Sequence, residues 1–385
     1  MIASAAGLVA LAAWAYLLIG RGGFWLARET DQAPCPGPAA WPAVVAVVPA
    51  RNEADVIASS IGGLIAQDYP GAFRIILVDD DSEDGTAQAA KAAAEGSGVP
   101  ERLEILRATP LPKGWTGKLS AVSQGVARAS AGTDAPKYLL LTDADIFHAP
   151  DLVRSLVARA EAKDLVLTSL MAELHCRTWP ERLLIPAFVL FFQMLYPFAW
   201  VNAAGRSTAA AAGGCMLARR EALAAAGGIE AIRGAIIDDC AMGALMKRQG
   251  RIWLGLTHRA RSLRPYVSVS AIGRMISRSA YAQLNYSVWM LAGTLAGLAL
   301  IYLAPVALTL FASGTARLCG LAAWAAMALA FQPMLRFYRR SPLWGLALPA
   351  IGAIYAGFTL RSAIDVWRGR GGMWKGRAQA LAGAQ

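Results

Sequence analysis

Residues 1–20, 279–316, 318–335 and 343–360 contain no Asp, Glu, Lys or Arg and are strongly apolar. A helix needs about 20 apolar residues to cross a hydrocarbon core, so each stretch reads as a candidate membrane segment. Between the first two lies 21–278, a mixed polar region long enough to bury a core of its own. This layout argues against a soluble globular protein, a disordered chain and a pure membrane channel. It favours an anchored catalytic or binding domain with a membrane-embedded C-terminal third. The composition reflects it: 16% of the 385 residues are charged, against about 25% in a soluble domain.

The 37 basic and 26 acidic residues leave a net charge of +11. Lys and Arg clustered beside apolar spans mark cytoplasmic loops and contact with anionic lipid; no nucleic-acid partner is expected. Arg21 and Arg28 follow the first apolar run and no Lys or Arg precedes it, whereas a secretory signal has a positive leading region. Residues 1–20 are therefore expected to be an uncleaved anchor, with the N-terminus outside and the following domain in the cytoplasm. The candidate C-terminal spans are 286–312, 318–335 and 343–360, with the basic RFYRR (336–340) inside. Three crossings would put the basic tail, 361–385, outside. Either one segment is re-entrant or the positive-inside tendency fails here, so two or three spans are expected. None of the five cysteines has CxxC spacing, so neither a zinc site nor a disulfide framework is indicated.

After a Pro-rich linker (21–42), short β-branched runs alternate with helical patterns. AVVAVV (43–48), RIILVDDD (74–81), LEILRA (103–108) and KYLLLTDAD (137–145) read as buried strands. RNEADVIASSIGGLIAQ, DSEDGTAQAAKAAAE and GKLSAVSQGVARA (117–129) read as the helices between them. The alternation predicts an α/β fold with a doubly wound, mostly parallel sheet. Ligands of such sheets bind beyond the carboxyl ends of the strands, where Arg51-Asn52-Glu53, Asp79 to Asp81 and Asp143 to Asp145 fall. The charge-free run 183–205 has the hydropathy of a span, but Pro186 and Pro197 interrupt it. It is expected to lie as an interfacial helix or to line an acceptor groove, because a crossing there would separate Asp239 from Asp145.

Three acidic clusters carry the chemistry. In LVDDDSEDGT (77–86), strand-end carboxylates can accept hydrogen bonds from a nucleobase or ribose, although Asp and Ser there also cap helices. In TDAD (142–145), carboxylates two residues apart can hold a divalent cation beside phosphate oxygens. In IIDDCAMGALMKRQG (236–250), an Asp pair opens an amphipathic helix, where it also suits the helix dipole. Gly117-Lys118 offers backbone N–H groups and an ammonium to a phosphate, without Walker spacing. Gly213-Gly214 marks a turn or a close backbone approach.

The order strand-NE, VDDDSEDGT, GWTGK, DAD, GGCMLARREAL and DD resembles family 2 glycosyltransferases of the GT-A fold across residues 43–285. With its anchor, C-terminal spans and terminal WKGR (374–377), the whole chain is most similar to hopanoid-associated membrane glycosyltransferases. The resemblance implies a catalytic domain at 43–285, membrane helices at 286–360 and a basic tail at 361–385. It assigns the nucleotide sugar to Pro49, Arg51, Glu53, Asp79, Asp80, Lys118, Asp143, Gly214 and Arg278. It assigns a divalent cation, Mg²⁺ or Mn²⁺, to Asp145 with Asp143. Asp239, paired with Asp238, takes the place of the general base. Many membrane members carry QxxRW; here Arg278 stands where its Arg would, but Met275 and Ser279 replace the Gln and Trp.

These features imply inverting transfer from a nucleotide-diphosphate sugar to a lipid acceptor, hopanoid or another isoprenoid or glycolipid. The expected location is the bacterial inner membrane, with the catalytic domain facing the cytoplasm. A polyprenyl-phosphate sugar synthase is the alternative within the same chemistry. A catalytically inactive, membrane-bound nucleotide-binding scaffold is the alternative outside it. Tyr196, Trp200, Trp115 and Trp179 are candidates for an entry groove or for interfacial anchors. His148, His175 and His258 lack ligand spacing and are expected to be structural, and Cys240 to be a small buried residue.

Overall fold

A computed structural model describes residues 1–372; most of the basic tail's distal half, including WKGR (374–377), lies outside the described residues. The chain opens with α1 (Ile2–Ile19). Then β1 (Val44–Ala50), α2 (Ile57–Ile65), β2 (Phe73–Asp79), α3 (Thr86–Gly96), β3 (Leu103–Arg107), α4 (Gly117–Ser130) and β4 (Tyr138–Leu141) alternate as the pattern predicts. There follow β5 (Ile146–His148), α5 (Leu152–Ala162), β6 (Leu165–Glu173), α6 (Trp179–Leu195), α7 (Phe198–Asn202), β7 (Met216–Arg219), α8 (Arg220–Ala225), α9 (Asp238–Lys247), β8 (Arg251–Ser262) and α10 (Val269–Ser277).

The strands form one sheet in the order β3-β2-β1-β4-β7-β6-β8-β5. Pairs β1/β2, β1/β4, β2/β3 and β6/β8 are parallel. Strand β7 runs antiparallel to β4 and β6, and β5 runs antiparallel to β8. The doubly wound, mostly parallel sheet expected from the sequence is therefore present, with two antiparallel insertions. Every residue of β1 and β4 is buried, as apolar runs with both faces covered must be. Helix α4 lies so close to the sheet that a Cβ on Gly125 would stand 2.4 Å from Val47 Cγ1.

Two boundaries differ from expectation in a way that matters for function. The helix after β1 starts only at Ile57, so Arg51, Asn52 and Glu53 ride on a loop. Asn52 there takes a left-handed φ of 52°, a conformation that Asn tolerates better than most residues. Strand β4 ends at Leu141, because the Thr142 hydroxyl donates to the Gly214 carbonyl at 2.7 Å and turns the chain out of the sheet. The DAD motif is thus a loop at a strand end.

The C-terminal third holds α11 (Val288–Leu298), a π-helical turn (Ala299–Leu303), α12 (Ala304–Phe311), α13 (Gly314–Phe337) and α14 (Leu348–Trp367). Among the described residues four helices are long and apolar enough to cross a membrane: Ile2–Ile19, Val288–Phe311, Gly314–Phe337 and Pro342–Trp367. They pack together: the Trp14 indole donates to the Ile301 carbonyl at 3.0 Å and meets the Tyr302 ring edge-on.

The last segment doubles back. The Gln332 amide donates to the Pro342 carbonyl and the Trp324 indole to the Leu346 carbonyl, so residues 342–347 descend beside α13. Helix α14 then returns. Its Tyr355 hydroxyl donates to Leu184, Phe358 accepts from the Ser277 hydroxyl, and Ser362 Oγ accepts from the Tyr281 amide. At the other end, the Tyr338 hydroxyl accepts from the Leu174 amide. Both ends of this segment therefore touch the sheet-bearing domain.

The run 183–205 is split between α6 and α7. Pro186 sits inside α6 without ending it, contrary to the sequence reading, while Pro197 separates the two helices. The helix survives the one hydrogen bond Pro removes because Leu184, Ile185, Ala187, Val189 and Leu190 are buried around it. A capping box of Thr178 and Glu181 starts it.

Candidate functional site

The parallel register brings the end of β1 beside the end of β2, with Ala50 opposite Asp79. The Asp80 amide donates to the Ala50 carbonyl at 2.8 Å. Arg51 Nη1 donates to the Asp80 carbonyl and lies 3.7 Å from its carboxylate. The rest of the DDDSEDGT motif ties two loops together. Ser82 Oγ accepts from the Asn52 amide, Thr86 Oγ1 from the Glu53 amide, and Asp84 from the Ala54 amide. Asp79 accepts from the Ser82 amide. Ser82, Asp84 and Thr86 build the loop, with Asp79 accepting one of its amides, and Asp79 and Asp80 stand at the strand end beside Pro49.

One side chain joins the other clusters. Lys118 Nζ lies 2.7 Å from Asp143 Oδ1 and 2.9 Å from Asp238 Oδ2. It projects from the first turn of α4, where Thr116 caps the helix. Burial disfavours the Lys118 ammonium, but Asp143 and Asp238 outweigh this and raise its pKa. Burial likewise disfavours the Asp238 carboxylate, and Lys118 reverses the balance so that its pKa is lowered. Its neighbour differs. Asp239 Oδ2 accepts from the Gly213 amide at 3.2 Å and Oδ1 from the Cys240 amide at 2.7 Å. Burial, and then the Asp238 charge, push its pKa up to about 6 despite Lys118. Adjacent carboxylates thus have environments that drive their protonation apart, a pattern typical of acid–base sites.

Asp145 is also raised to about 6, by burial and by Asp143 and Glu53, against the opposing pull of Arg264 and Lys118. Arg264 pairs with Glu53, lies 3.5 Å from Asp145 Oδ2 and 3.5 Å from Asp55 Oδ2. Sequence reading did not single out Arg264, since an isolated Arg after a strand carries no signal. It also missed the buried pair under the DAD loop, where His148 Nε2 lies 3.0 Å from Thr142 Oγ1.

Among the described residues no three His, Cys, Asp or Glu side chains gather tightly enough to hold a metal alone. The oxygen-only pair Asp143 and Asp145 suits a hard cation that takes one or two carboxylates and completes its shell with phosphate and water. The electrostatics agree: Asp145 sits in an excess of negative charge that a cation would relieve. Pro49, Lys118, Asp143, Gly213 and Asp238 line a cavity of about 20 Å³, closed by the Lys118 contacts to Asp143 and Asp238.

Gly214 stands behind the site through its bond to Thr142. Arg278 caps α10 and its charge reaches Asp238. Tyr196 exchanges hydrogen bonds with Gln283 and lies near Cys240 and Asp239. Trp200 is instead held by Arg21 and Arg206, and Trp179 is exposed. His175 pairs with Glu181, and His258 with Glu173.

Residues 45–227 match the family described as Glycosyl transferase family 2. An N-acetylglucosaminyltransferase of Rhizobium leguminosarum bv. viciae is 32% identical over 146 residues, 37% of this chain. That match spans only 32% of the relative's length. A mannosyltransferase from Pyrobaculum calidifontis, solved with GDP-Man and Mn²⁺, superposes with a TM-score of 0.54 at 20% identity. The superposition covers 95% of this chain and 99% of that one, and is a likeness of fold. Residues 45–227, just under half of the chain, thus match the glycosyl transferase family 2 model, and the sheet-bearing domain has the GT-A fold.

Proposed function

We propose that the protein is a membrane-anchored inverting glycosyltransferase that moves a sugar from a nucleotide-diphosphate sugar to a lipid hydroxyl. The observation that carries this reading is the Lys118 bridge, which ties the DAD loop to the Asp238-Asp239 helix start in one crevice. The nucleoside contacts Asp79 and Asp80 beside Pro49, Arg51 and Glu53. Asp145, with Asp143, would hold Mg²⁺ or Mn²⁺, which when bound would neutralise charge on the leaving diphosphate. Lys118 stands where it can trade a carboxylate for a phosphate oxygen, with Gly214 and Arg278 bordering the same crevice. Asp239 takes the proton of the acceptor hydroxyl as its oxygen attacks the anomeric carbon. The bond to the diphosphate oxygen breaks on the opposite face, and the diphosphate leaves with the electron pair. A general base of this kind contributes about 10²–10⁴-fold.

The four apolar helices and their packing on the same domain support a bilayer-surface site and a lipid acceptor, of hopanoid or other isoprenoid or glycolipid class. The doubling back of 342–367 supports a topology in which RFYRR and residues 368–372 share the catalytic side, in line with the positive-inside tendency. That side is the cytoplasm, and the membrane is a bacterial inner membrane. The test is incubation of membranes holding the protein with labelled UDP-N-acetylglucosamine and GDP-mannose, followed by mass spectrometry of the labelled lipid. Metal-dependent label in an organic-phase product is expected. Label confined to a water-soluble product overturns the lipid acceptor.

A further inference from the structure

A second and much larger cavity, about 860 Å³, lies away from the Lys118 crevice. Its volume is within the range of about 300–1,000 Å³ that small-molecule sites occupy. Its walls come from the ends of β6 and β8, from β5, from α2, and from Tyr338–Arg340, the residues directly after the apolar helix α13. Four guanidinium groups line it: Arg177, Arg261, Arg339 and Arg340. Among the described residues none of the four has a carboxylate within ion-pair distance. The one lining carboxylate is already engaged, since Glu173 Oε2 accepts from or pairs with His258 Nδ1 at 2.7 Å. Arg261 rests only over the Phe147 ring. The Arg340 Nε–H donates to the Tyr338 carbonyl at 2.8 Å, which leaves its terminal amino groups to the cavity.

The walls are built rather than incidental. The His258 ring stacks on Phe337 with centroids 4.3 Å apart, and Tyr338 is buried with its hydroxyl on the Leu174 amide. These contacts lock the end of α13 against the sheet edge and hold Arg339 and Arg340 over the cavity. Other arginines of this domain are matched to carboxylates, as Arg259 is to Asp31 and Asp151, or stand singly on a carbonyl, as Arg102 and Arg159 do. Arg177, Arg261 and Arg339 are exposed and Arg340 half-buried, so solvent screens part of their mutual repulsion, and a bound anion would relieve what remains. Planar guanidinium forks match phosphate oxygens in pairs, and basic pockets at the cytoplasmic ends of membrane helices suit phosphate-bearing headgroups.

We propose that this cavity is a binding site for a phosphate group carried by an anionic lipid headgroup, separate from the nucleotide-sugar crevice. The source rests on the membrane reading given above; the phosphate chemistry does not. The test uses the full chain in nonionic detergent, with fluorescent phosphatidylglycerol as probe, phosphatidylcholine as the zwitterionic control and inorganic phosphate as competitor. Phosphatidylglycerol is expected to bind at least tenfold more tightly than phosphatidylcholine. That preference is expected to vanish in the Arg177→Gln/Arg339→Gln double variant, with GDP and UDP binding unchanged. If inorganic phosphate competes at equal strength and the protein leaves membranes on alkaline washing, the site stands as a soluble-phosphate site and the membrane reading fails. Should the double variant aggregate, Arg261→Gln alone is expected to weaken the probe about threefold or more. Phosphatidylglycerol binding that neither variant alters, or no preference over phosphatidylcholine together with no competition by phosphate, overturns the proposal.

Discussion

Replacing Lys118 with Met removes the ammonium that faces Asp143, Asp238 and Asp239 together. Its ammonium and the Asp239 carboxylate flank Gly213, at 3.5 and 3.7 Å from the point where a Cβ would stand. Both lie close to that one point, so they stand at most about 7 Å apart; at that separation and an effective dielectric of about 20, such a pair interacts by about 2.4 kcal/mol, or nearly two pK units. The sign is fixed: the ammonium favours ionised Asp239, so its loss raises the carboxyl's pKa above its present value of about 6. Allowing for partial solvent screening, a rise of about one to two units is expected. A base with a pKa of about 6 is about 90% ionised at pH 7, whereas one at about 7–8 is about 10–50% ionised. The acid limb of the kcat profile should therefore move up by one to two pH units. Activity at pH 7 should fall about 2–10-fold from titration alone and recover toward pH 8.5. The assay is transfer from labelled donor at saturating Mn²⁺, from pH 5 to 9, with a melting curve as fold control. A loss that is flat across pH, or an acid limb that stays near pH 6, would refute the coupling between Lys118 and Asp239.

Asp239→Asn should lower kcat by about 10²–10⁴-fold and leave donor affinity unchanged by calorimetry; full turnover would remove Asp239 from the base role. Asp145→Asn should raise the Mn²⁺ concentration needed for half-maximal activity at least tenfold, and chelation of wild type should abolish transfer, reversibly on Mn²⁺ addition. Activity that survives chelation counts against the metal. Gly125→Ala drives a Cβ to 2.4 Å from Val47 Cγ1 and should cost about 1–3 kcal/mol of stability, read as a lower melting temperature. An unchanged melting curve would mean that α4 shifts freely on the sheet.

Much of the site was legible because its residues sit at strand ends, and strands announce themselves by buried β-branched runs. Val44–Ala50 and Phe73–Asp79 end where their acids begin, so Asp79 and Asp80 could be placed by pattern alone. Asp239 was harder, because in a linear reading an Asp pair at a helix start is explained better by capping than by catalysis. Only the fold shows Asp239 on the Gly213 amide and Asp238 on Lys118, contacts between segments far apart in the chain. Arg264 was invisible for the same reason: its meaning lies in Glu53, Asp55 and Asp145, none of them its neighbours in sequence. Pro186 misled, because local propensity marks it as a helix breaker while the packing around α6 overrides it.

The sequence by itself determined the division into apolar helices and an α/β domain, and put the acids at the edge of its sheet. Both are consequences of local periodicity and of charge, which the chain carries residue by residue. Tertiary structure decided which carboxylates share a cation and which face burial without one. It also decided that α13 and α14 both reach back to the sheet-bearing domain, and that four arginines meet around one cavity. Each of these depends on pairing distant segments, where charge interaction and burial act through space and leave no periodic trace along the chain.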